Sequence, residues 1–293
     1  MELKDVDPVT GRKTTGHVWN GIRELDTPIP KGVLLFLIAT HLFAVLWWFL
    51  MPSWPLGATY TKGILGKDQR TTVEKSLLEG EAAKVPWVSR IETMSFDEIR
   101  ADEALMAKVR SNGHQLFGDN CAACHGRDGK GGANYPNLTD GDWIWGGSAE
   151  QIAQTLIVGV NSRHPDTRVG QMPAFGRDEI LDRQQIRDVS LYVRTLSEPD
   201  ASMPENVERV DAGLEVFQTN CAACHGDDGK GNMELGAPNL TDQTWIYGGT
   251  LQTLIDTIHG GRQGHMPNWD ERLSPIEIKV LALYVHALGQ REP

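Results

Sequence analysis

From Gly32 to Met51 the chain carries twenty consecutive residues without a charged side chain. As a helix such a run is about 30 Å long, the thickness of a bilayer core, and it predicts one spanning helix over residues 32–51. The run begins only after a long polar segment and exceeds the apolar core of an ordinary leader. No small-x-small cleavage pattern stands at its exit, which reads Met51, Pro52, Ser53, Trp54. The pattern therefore predicts a retained anchor, with Trp47, Trp48 and Trp54 as interfacial aromatics. His41 falls mid-span, where a neutral imidazole bonded to a neighbouring helix is expected.

Beyond the anchor, apolar positions recur at helical spacing. Ser95-Phe-Asp-Glu98 is a capping-box pattern ahead of an amphipathic stretch, and the stretch with Gly113 and Phe117 runs up to a cysteine motif. Two later helices open on Asp182-Arg-Gln-Gln185 and Ser274-Pro-Ile-Glu277. Behind those boxes Ile186, Val189, Val193 and Leu196 form one stripe and Ile278, Leu281, Val285 and Leu288 another, with Tyr192 and Tyr284 beside them. Helical turns are also expected around Thr71 to Ala83. The elements predict an all-α chain.

The two stripes belong to a larger repeat. Asn120-Cys-Ala-Ala-Cys-His-Gly126 returns 100 residues later as Asn220-Cys-Ala-Ala-Cys-His-Gly226. Gly113 and Phe117 return as Gly213 and Phe217, Pro136-Asn-Leu-Thr-Asp140 as Pro238-Asn-Leu-Thr-Asp242, and Trp143-Ile-Trp-Gly-Gly147 as Trp245-Ile-Tyr-Gly-Gly249. One small helical domain is thus present twice.

The repeated motif carries the chemistry. Cys-x-x-Cys-His places two thiols to reach the two vinyl groups of one porphyrin and sets the adjacent imidazole toward its iron. Zinc sites, redox dithiols and disulfides are the competing readings. Zinc ribbons want their cysteine pairs about 15 to 20 residues apart, and a redox dithiol does not need the histidine. The chain's four cysteines, Cys121, Cys124, Cys221 and Cys224, all lie in these motifs, so none is left for a structural disulfide. Two covalent haems c are predicted, with His125 and His225 as proximal iron ligands. Each repeat also offers one Met-Pro, Met172-Pro173 and Met266-Pro267, and a thioether ligand raises the iron's potential. Met172 and Met266 are assigned as the sixth ligands. Met203, Met233, His164, His259 and His265 compete, but none recurs at matching places in both repeats. Which methionine serves which haem is left open, since adjoining domains can exchange these loops.

Charge narrows the partners. The formal net charge is -11, while residues 1–31 hold five basic and five acidic side chains, so the acidity lies after residue 31. Such a surface repels nucleic acid and favours basic proteins. Four Lys or Arg in the twenty residues before the span against three after it leave orientation undecided. The haem motifs decide it, because covalent attachment takes place on the outer face.

These features resemble class I cytochrome c domains, in which a first helix with Gly113/Phe117 or Gly213/Phe217 crosses a last helix with Tyr192 or Tyr284, and a proline carbonyl, here of Pro136 or Pro238, holds the axial histidine. The whole chain is similar to the dihaem subunit of cbb3-type cytochrome c oxidases. Trp19-Asn-Gly-Ile-Arg-Glu-Leu-Asp-Thr-Pro-Ile-Pro30 resembles that family's approach to the membrane, and Trp54-Pro-Leu-Gly-Ala-Thr-Tyr-Thr-Lys-Gly63 follows the span as expected. Lys31-Gly32-Val33 departs from the family's usual Arg-Trp-Trp.

The resemblance implies a cytoplasmic segment (1–31), the membrane helix (32–51), a periplasmic connection (52–100), a first cytochrome c domain (101–198), a linker (199–207) and a second domain (208–293). It implies a single-pass protein of the bacterial inner membrane. Such a subunit would take electrons from a donor c-type cytochrome and pass them through two haems c to the monohaem subunit. The catalytic haem b subunit of a proton-pumping terminal oxidase would then receive them, in aerobic or microaerobic respiration. With both axial positions filled the chain would have no catalytic centre of its own. Its partners would be those two subunits, the donor cytochrome and membrane lipid, and no nucleic acid.

Overall fold

The computed structural model describes residues 6–198 and 207–290. Its elements, in order, are β1 (Thr14–Trp19), β2 (Ile22–Leu25), α1 (Lys31–Leu50), α2 (Gln69–Thr93), α3 (Phe96–Ala101), α4 (Glu103–Asn120), α5 (Ala122–His125), α6 (Ala149–Val158), α7 (Arg183–Ser197), α8 (Val207–Asn220), α9 (Ala222–His225), α10 (Leu251–Gly260) and α11 (Pro275–Gly289). The chain divides into two compact units, residues 1–83 and 84–293.

Among the described residues, the one sheet of this otherwise helical chain lies in the first unit. β1 and β2 pair antiparallel, with Trp19 opposite Ile22. The turn is Asn20-Gly21, with φ of 50° and 84°, the left-handed pair that lets two residues reverse a hairpin. Next comes α1, which exposes its apolar side chains along its whole length and is the one described helix long and apolar enough to cross a membrane. Its last carbonyls are orphans that lipid cannot satisfy. The chain after the helix folds back, so that the Ile64 and Leu65 amides donate to Phe49 O and Leu50 O at 3.0 and 3.1 Å. Trp48 and Trp54 meet edge to face at 5.2 Å beside this cap. His41 Nδ1 donates to Leu37 O at 2.9 Å within its own helix.

In the second unit the repeats interlock. Capping boxes at Ser95, Asp182 and Ser274 fix the starts of α3, α7 and α11 where expected, and a fourth at Ser148 starts α6. One core joins Leu105, Val109 and Phe117 of α4 and Ile152 and Leu156 of α6 to Ile278, Leu281, Val285 and Leu288 of α11. The other joins Phe217 of α8 and Leu254 and Ile258 of α10 to Ile186, Val189 and Val193 of α7. The closing helix of each repeat therefore completes the other repeat's core.

Helix crossings show the same exchange. A Cβ on Gly113 would lie 2.5 Å from Tyr284 Cβ, and one on Gly213 would run into the Asp188 carbonyl. The ring of Tyr284 lies 5.7 Å from Phe117, and that of Tyr192 lies 5.2 Å from Phe217. Glycine is needed at both crossings because the partner helix approaches this closely, through the Tyr284 side chain at one and the Asp188 backbone at the other, and alanine would force the helices apart. The buried carboxylate of Asp188 accepts from Arg209 Nε at 2.8 Å, binding α7 to α8. Between these helices, residues 199–206 of the linker, including Met203, lie outside the described residues.

The exchange was invisible in the stripes because they are nearly the same stripe. Either closing helix offers four apolar residues and a tyrosine at equal spacing, so either fits either socket.

Candidate haem sites

Each attachment motif sits on a single helical turn at the end of a long helix. Cys121 ends α4 and precedes α5, and the His125 amide donates to Cys121 O at 2.9 Å; Cys221, α9 and His225 repeat this at 3.0 Å. The turn brings both sulfurs and the imidazole together. All four cysteines are free thiols. Burial, and then the neighbouring thiol of its pair, push Cys121 and Cys221 up to about 11. Both are thus held as neutral thiols at neutral pH.

The histidines are held by carbonyls. His125 Nδ1 lies 3.1 Å from Pro136 O and His225 Nδ1 lies 3.0 Å from Pro238 O. A carbonyl can only accept, so Nδ1 carries the proton and Nε2 keeps its lone pair for a metal. Burial lowers both histidines' affinity for a proton, which preserves the neutral form a ligand requires.

The methionines are placed crosswise. Met266 packs on the core that contains Phe117, Cys121 and Ala122, whereas Met172 packs on the core with Phe217, Cys221 and Ala222. Two small antiparallel bridges hold them there. Met266 and Val160 exchange amide-to-carbonyl bonds of 2.9 Å, and Met172 and Arg262 exchange bonds of 2.8 and 3.1 Å. Val160 and Arg262 each follow a glycine that ends a helix, Gly159 after α6 and Gly261 after α10, with φ of 67° and 69°. A Cβ on Gly159 would stand 2.5 Å from Met266 O, and one on Gly261 would stand 2.6 Å from Met172 O. Asn161 Nδ2 ties the two loops together by donating to Gly170 O at 2.8 Å and Gly264 O at 2.7 Å.

The competing ligands lie otherwise. Met233 and His265 are exposed, His164 Nε2 lies 3.6 Å from Asp270, and the His259 ring packs against Gly176.

Sequence reasoning missed two arginines. Arg168 lies over the Trp145 ring at 5.3 Å and Arg262 over Tyr247 at 4.3 Å, so the aromatic that varies between the repeated Trp-Ile-Trp and Trp-Ile-Tyr segments carries a guanidinium in each copy. Arg262 donates to Thr257 Oγ1, while Arg168 Nε is buried with no partner. An orphaned buried guanidinium donor suits an anionic group, and the carboxylate of a porphyrin propionate is of that kind. Paired thiols, a directed imidazole, a thioether and this donor together fit haem. The arginines escaped notice because they sit at unequal distances from their glycines, in loops of different length.

A further cluster lies where the repeated Asn-Leu-Thr-Asp segments meet. Thr244 donates its hydroxyl to Asp142 Oδ2 at 2.5 Å, and burial first, then the charges of Asp142 and Asp242, hold the Asp140 carboxyl above the ordinary carboxylate range. A raised acid binds its proton more tightly in the folded chain, so folding stability falls as pH rises from the ordinary value of 3.8 through the raised one. Asp140→Asn should accordingly raise folding stability at pH 7 by less than about 1 kcal/mol, because the group keeps solvent contact, and the gain should shrink toward pH 4. Thermal melts at the two pH values check this.

Residues 11–58 match the family model described as the N-terminal domain of cytochrome oxidase-cbb3, FixP, residues 111–197 that of cytochrome c, and residues 208–285 that of cytochrome c oxidase, cbb3-type, subunit III. The chain is 46% identical to the cbb3-type cytochrome c oxidase subunit FixP of Bradyrhizobium sp. (strain ORS 278), over 97% of both chains. It is 44% identical to the FixP subunit of Bradyrhizobium diazoefficiens, again over 97% of both, and 41% identical to the CcoP subunit of Azospirillum brasilense over 99% of both.

Proposed function

The chain belongs to the FixP/CcoP family of cbb3-type cytochrome c oxidase subunits, and on that premise we propose that it accepts electrons from a donor c-type cytochrome and relays them, with two covalent haems c as carriers, to the oxidase's monohaem subunit and its oxygen-reducing centre. Haem c supplies reversible one-electron chemistry at an iron whose potential histidine–methionine ligation raises. The single observation that carries the reading is the duplicated arrangement of free cysteine pair, carbonyl-held histidine and bridged methionine loop.

The residues divide the work as follows. Cys121 and Cys124 attach one haem, and Cys221 and Cys224 the other. His125 and His225 present Nε2 to the irons. Met266 would complete the ligand set at the site of His125, and Met172 at that of His225. This crosswise assignment is supported by the cores on which the two methionines pack. Arg168 would meet a propionate. With a histidine and a methionine available to hold each iron, the chain would perform no oxygen chemistry alone.

Residues 1–31 lie in the cytoplasm, 32–51 span the inner membrane, 52–100 connect, and the cytochrome c repeats 101–198 and 208–293, joined by 199–207, face the periplasm. Besides the donor, its partners are the haem b subunit, the monohaem subunit and lipid.

The test is to extract the chain from its native membranes in mild detergent and record a reduced-minus-oxidised spectrum and oxygen uptake with reduced cytochrome c. Co-purifying haem b and cyanide-sensitive uptake are expected. A preparation with c-type haem alone, bound to a dehydrogenase, would sink the proposal.

A further inference from the structure

The two haem-bearing segments are copies of each other, yet they differ in charge. Between Asn120–Gly131 and Asn220–Gly231 the sequences are identical except at one position, where Arg127 is replaced by Asp227. Both side chains are exposed, three residues beyond the exposed Cys124 and Cys224.

The preceding helices differ in the same sense. At the 100-residue offset Lys108 becomes Glu208, Ser111 becomes Asp211 and Gln115 becomes Glu215, all exposed. Residues 108–131 hold four basic and two acidic side chains, and residues 208–231 two basic and five acidic. Spacings of three and four place Glu208, Asp211 and Glu215 along one side of α8. Most of the other charges are already engaged. Arg209 is paired with Asp188, and Lys230 Nζ lies 3.1 Å from Asp228.

The loop that follows differs as well. After Gly231 the second repeat exposes Met233 (54%) and Leu235 (48%) on either side of Glu234, while the first repeat shows Tyr135. An apolar centre with a charged surround, in the loop that follows the second Cys-x-x-Cys-His motif, is the composition of a transient docking site.

We propose that the donor docks at the second repeat, on the surface formed by Asp227, Glu234, Met233 and Leu235 with Glu215 of α8 behind it, and that this donor is a basic, lysine-rich c-type cytochrome. The first repeat is the side from which such a donor is turned away by Arg127 and Lys108. Electrons therefore enter at the haem of Cys221 and Cys224 and leave by that of Cys121 and Cys124. Charges of one sign around a small contact raise the association rate of an opposite partner by 10- to 1,000-fold at low salt, and like charges at the other site lower it. The inference rests on the relay reading above and adds its direction.

The experiment uses the complete oxidase in detergent, with horse-heart-type cytochrome c as the basic donor. Stopped-flow reduction of the c haems is followed across ionic strength, and oxygen uptake with ascorbate and a small mediator reports that each complex is intact. Asp227→Lys with Glu215→Lys should slow the second-order rate about 10-fold or more at low salt and flatten its salt dependence. The milder Asp227→Asn with Glu215→Gln should fall between this pair and the unaltered complex. Arg127→Glu with Lys108→Glu should change the rate less than about twofold. A normal rate in the first pair, or a larger response in the Arg127 pair, would overturn the docking site while leaving the relay intact. An unaltered complex that consumes oxygen with the mediator but takes no electrons from the protein donor would overturn both.

Discussion

Met266→Ala should lower the potential of the haem attached to Cys121 and Cys124, 142 residues or more before it in the chain, and leave the haem at Cys221 and Cys224 unaltered. The thioether favours ferrous iron, so its loss to water or a stronger-field nitrogen shifts the couple downward. Axial ligands move haem potentials over roughly 0.8 V, and a drop on the order of 0.1 V or more is expected. The ferric charge-transfer band of methionine-ligated haem should fall by half. Attribution to one haem comes from repeating the substitution in chains with only one attachment motif, Cys221→Ala/Cys224→Ala or Cys121→Ala/Cys124→Ala. If the band disappears in the chain that keeps Cys221, the loops close within their own repeats and the crosswise assignment is wrong. Met172→Ala should give the mirror result.

The second large effect concerns packing. Leu281 is 1% exposed in α11, at the end of the chain, but its core neighbours are α4 and α6 of the first repeat. Leu281→Ala should cost about 2 to 5 kcal/mol, from lost burial and the cavity left behind. Folded domains hold only about 5 to 15 kcal/mol in reserve, so one such change brings the affected half near its threshold. Amide hydrogen exchange locates the damage. Protection should fall in residues 103–120 and 149–158 and persist in 207–220 and 251–260. The reverse distribution would mean that α11 closes its own repeat. Val189→Ala in α7 should reverse the pattern, since its partners are Phe217 and Leu254.

Much of this site is local in origin and was therefore legible. The span of periodic apolar residues, the capping boxes and the Cys-x-x-Cys-His turns depend on residues within one or two turns, so the sequence states them directly. Pro136 and Pro238 as the carbonyl acceptors came from resemblance, and their bonds from His125 and His225 agree. The hairpin turn Asn20-Gly21 is a local signal too, but the strands it joins are exposed almost throughout and carry no buried face that would mark them as strands.

The exchange of helices and methionines is another matter. It is decided by which of two equivalent sockets a stripe enters, and duplicated sequences give both choices the same local energy. The tie is broken by contacts that the two copies do not share or that lie far apart in the chain, among them the bridges from Val160 to Met266 and from Arg262 to Met172, with Asn161 spanning the loops, and the pair of Arg209 with Asp188. Arg168 was illegible for a related reason. Its burial over Trp145 depends on a loop whose length differs from its counterpart.

The exchanged helices also set a timetable for biogenesis. His114 and Tyr284 touch at a sequence separation of 170 residues. At about 5 to 20 residues per second of synthesis, roughly 10 to 30 s pass between the emergence of α4 and that of the helix that closes over it. Through that interval the first Cys-x-x-Cys-His is an open, thiol-bearing segment. It is accessible to the cofactor and to whatever loads it, and equally to oxidants and proteases. The second motif appears close to the end of the chain and is enclosed almost at once by the waiting α7. Loading should thus be sequential, with the earlier site the more dependent on protection.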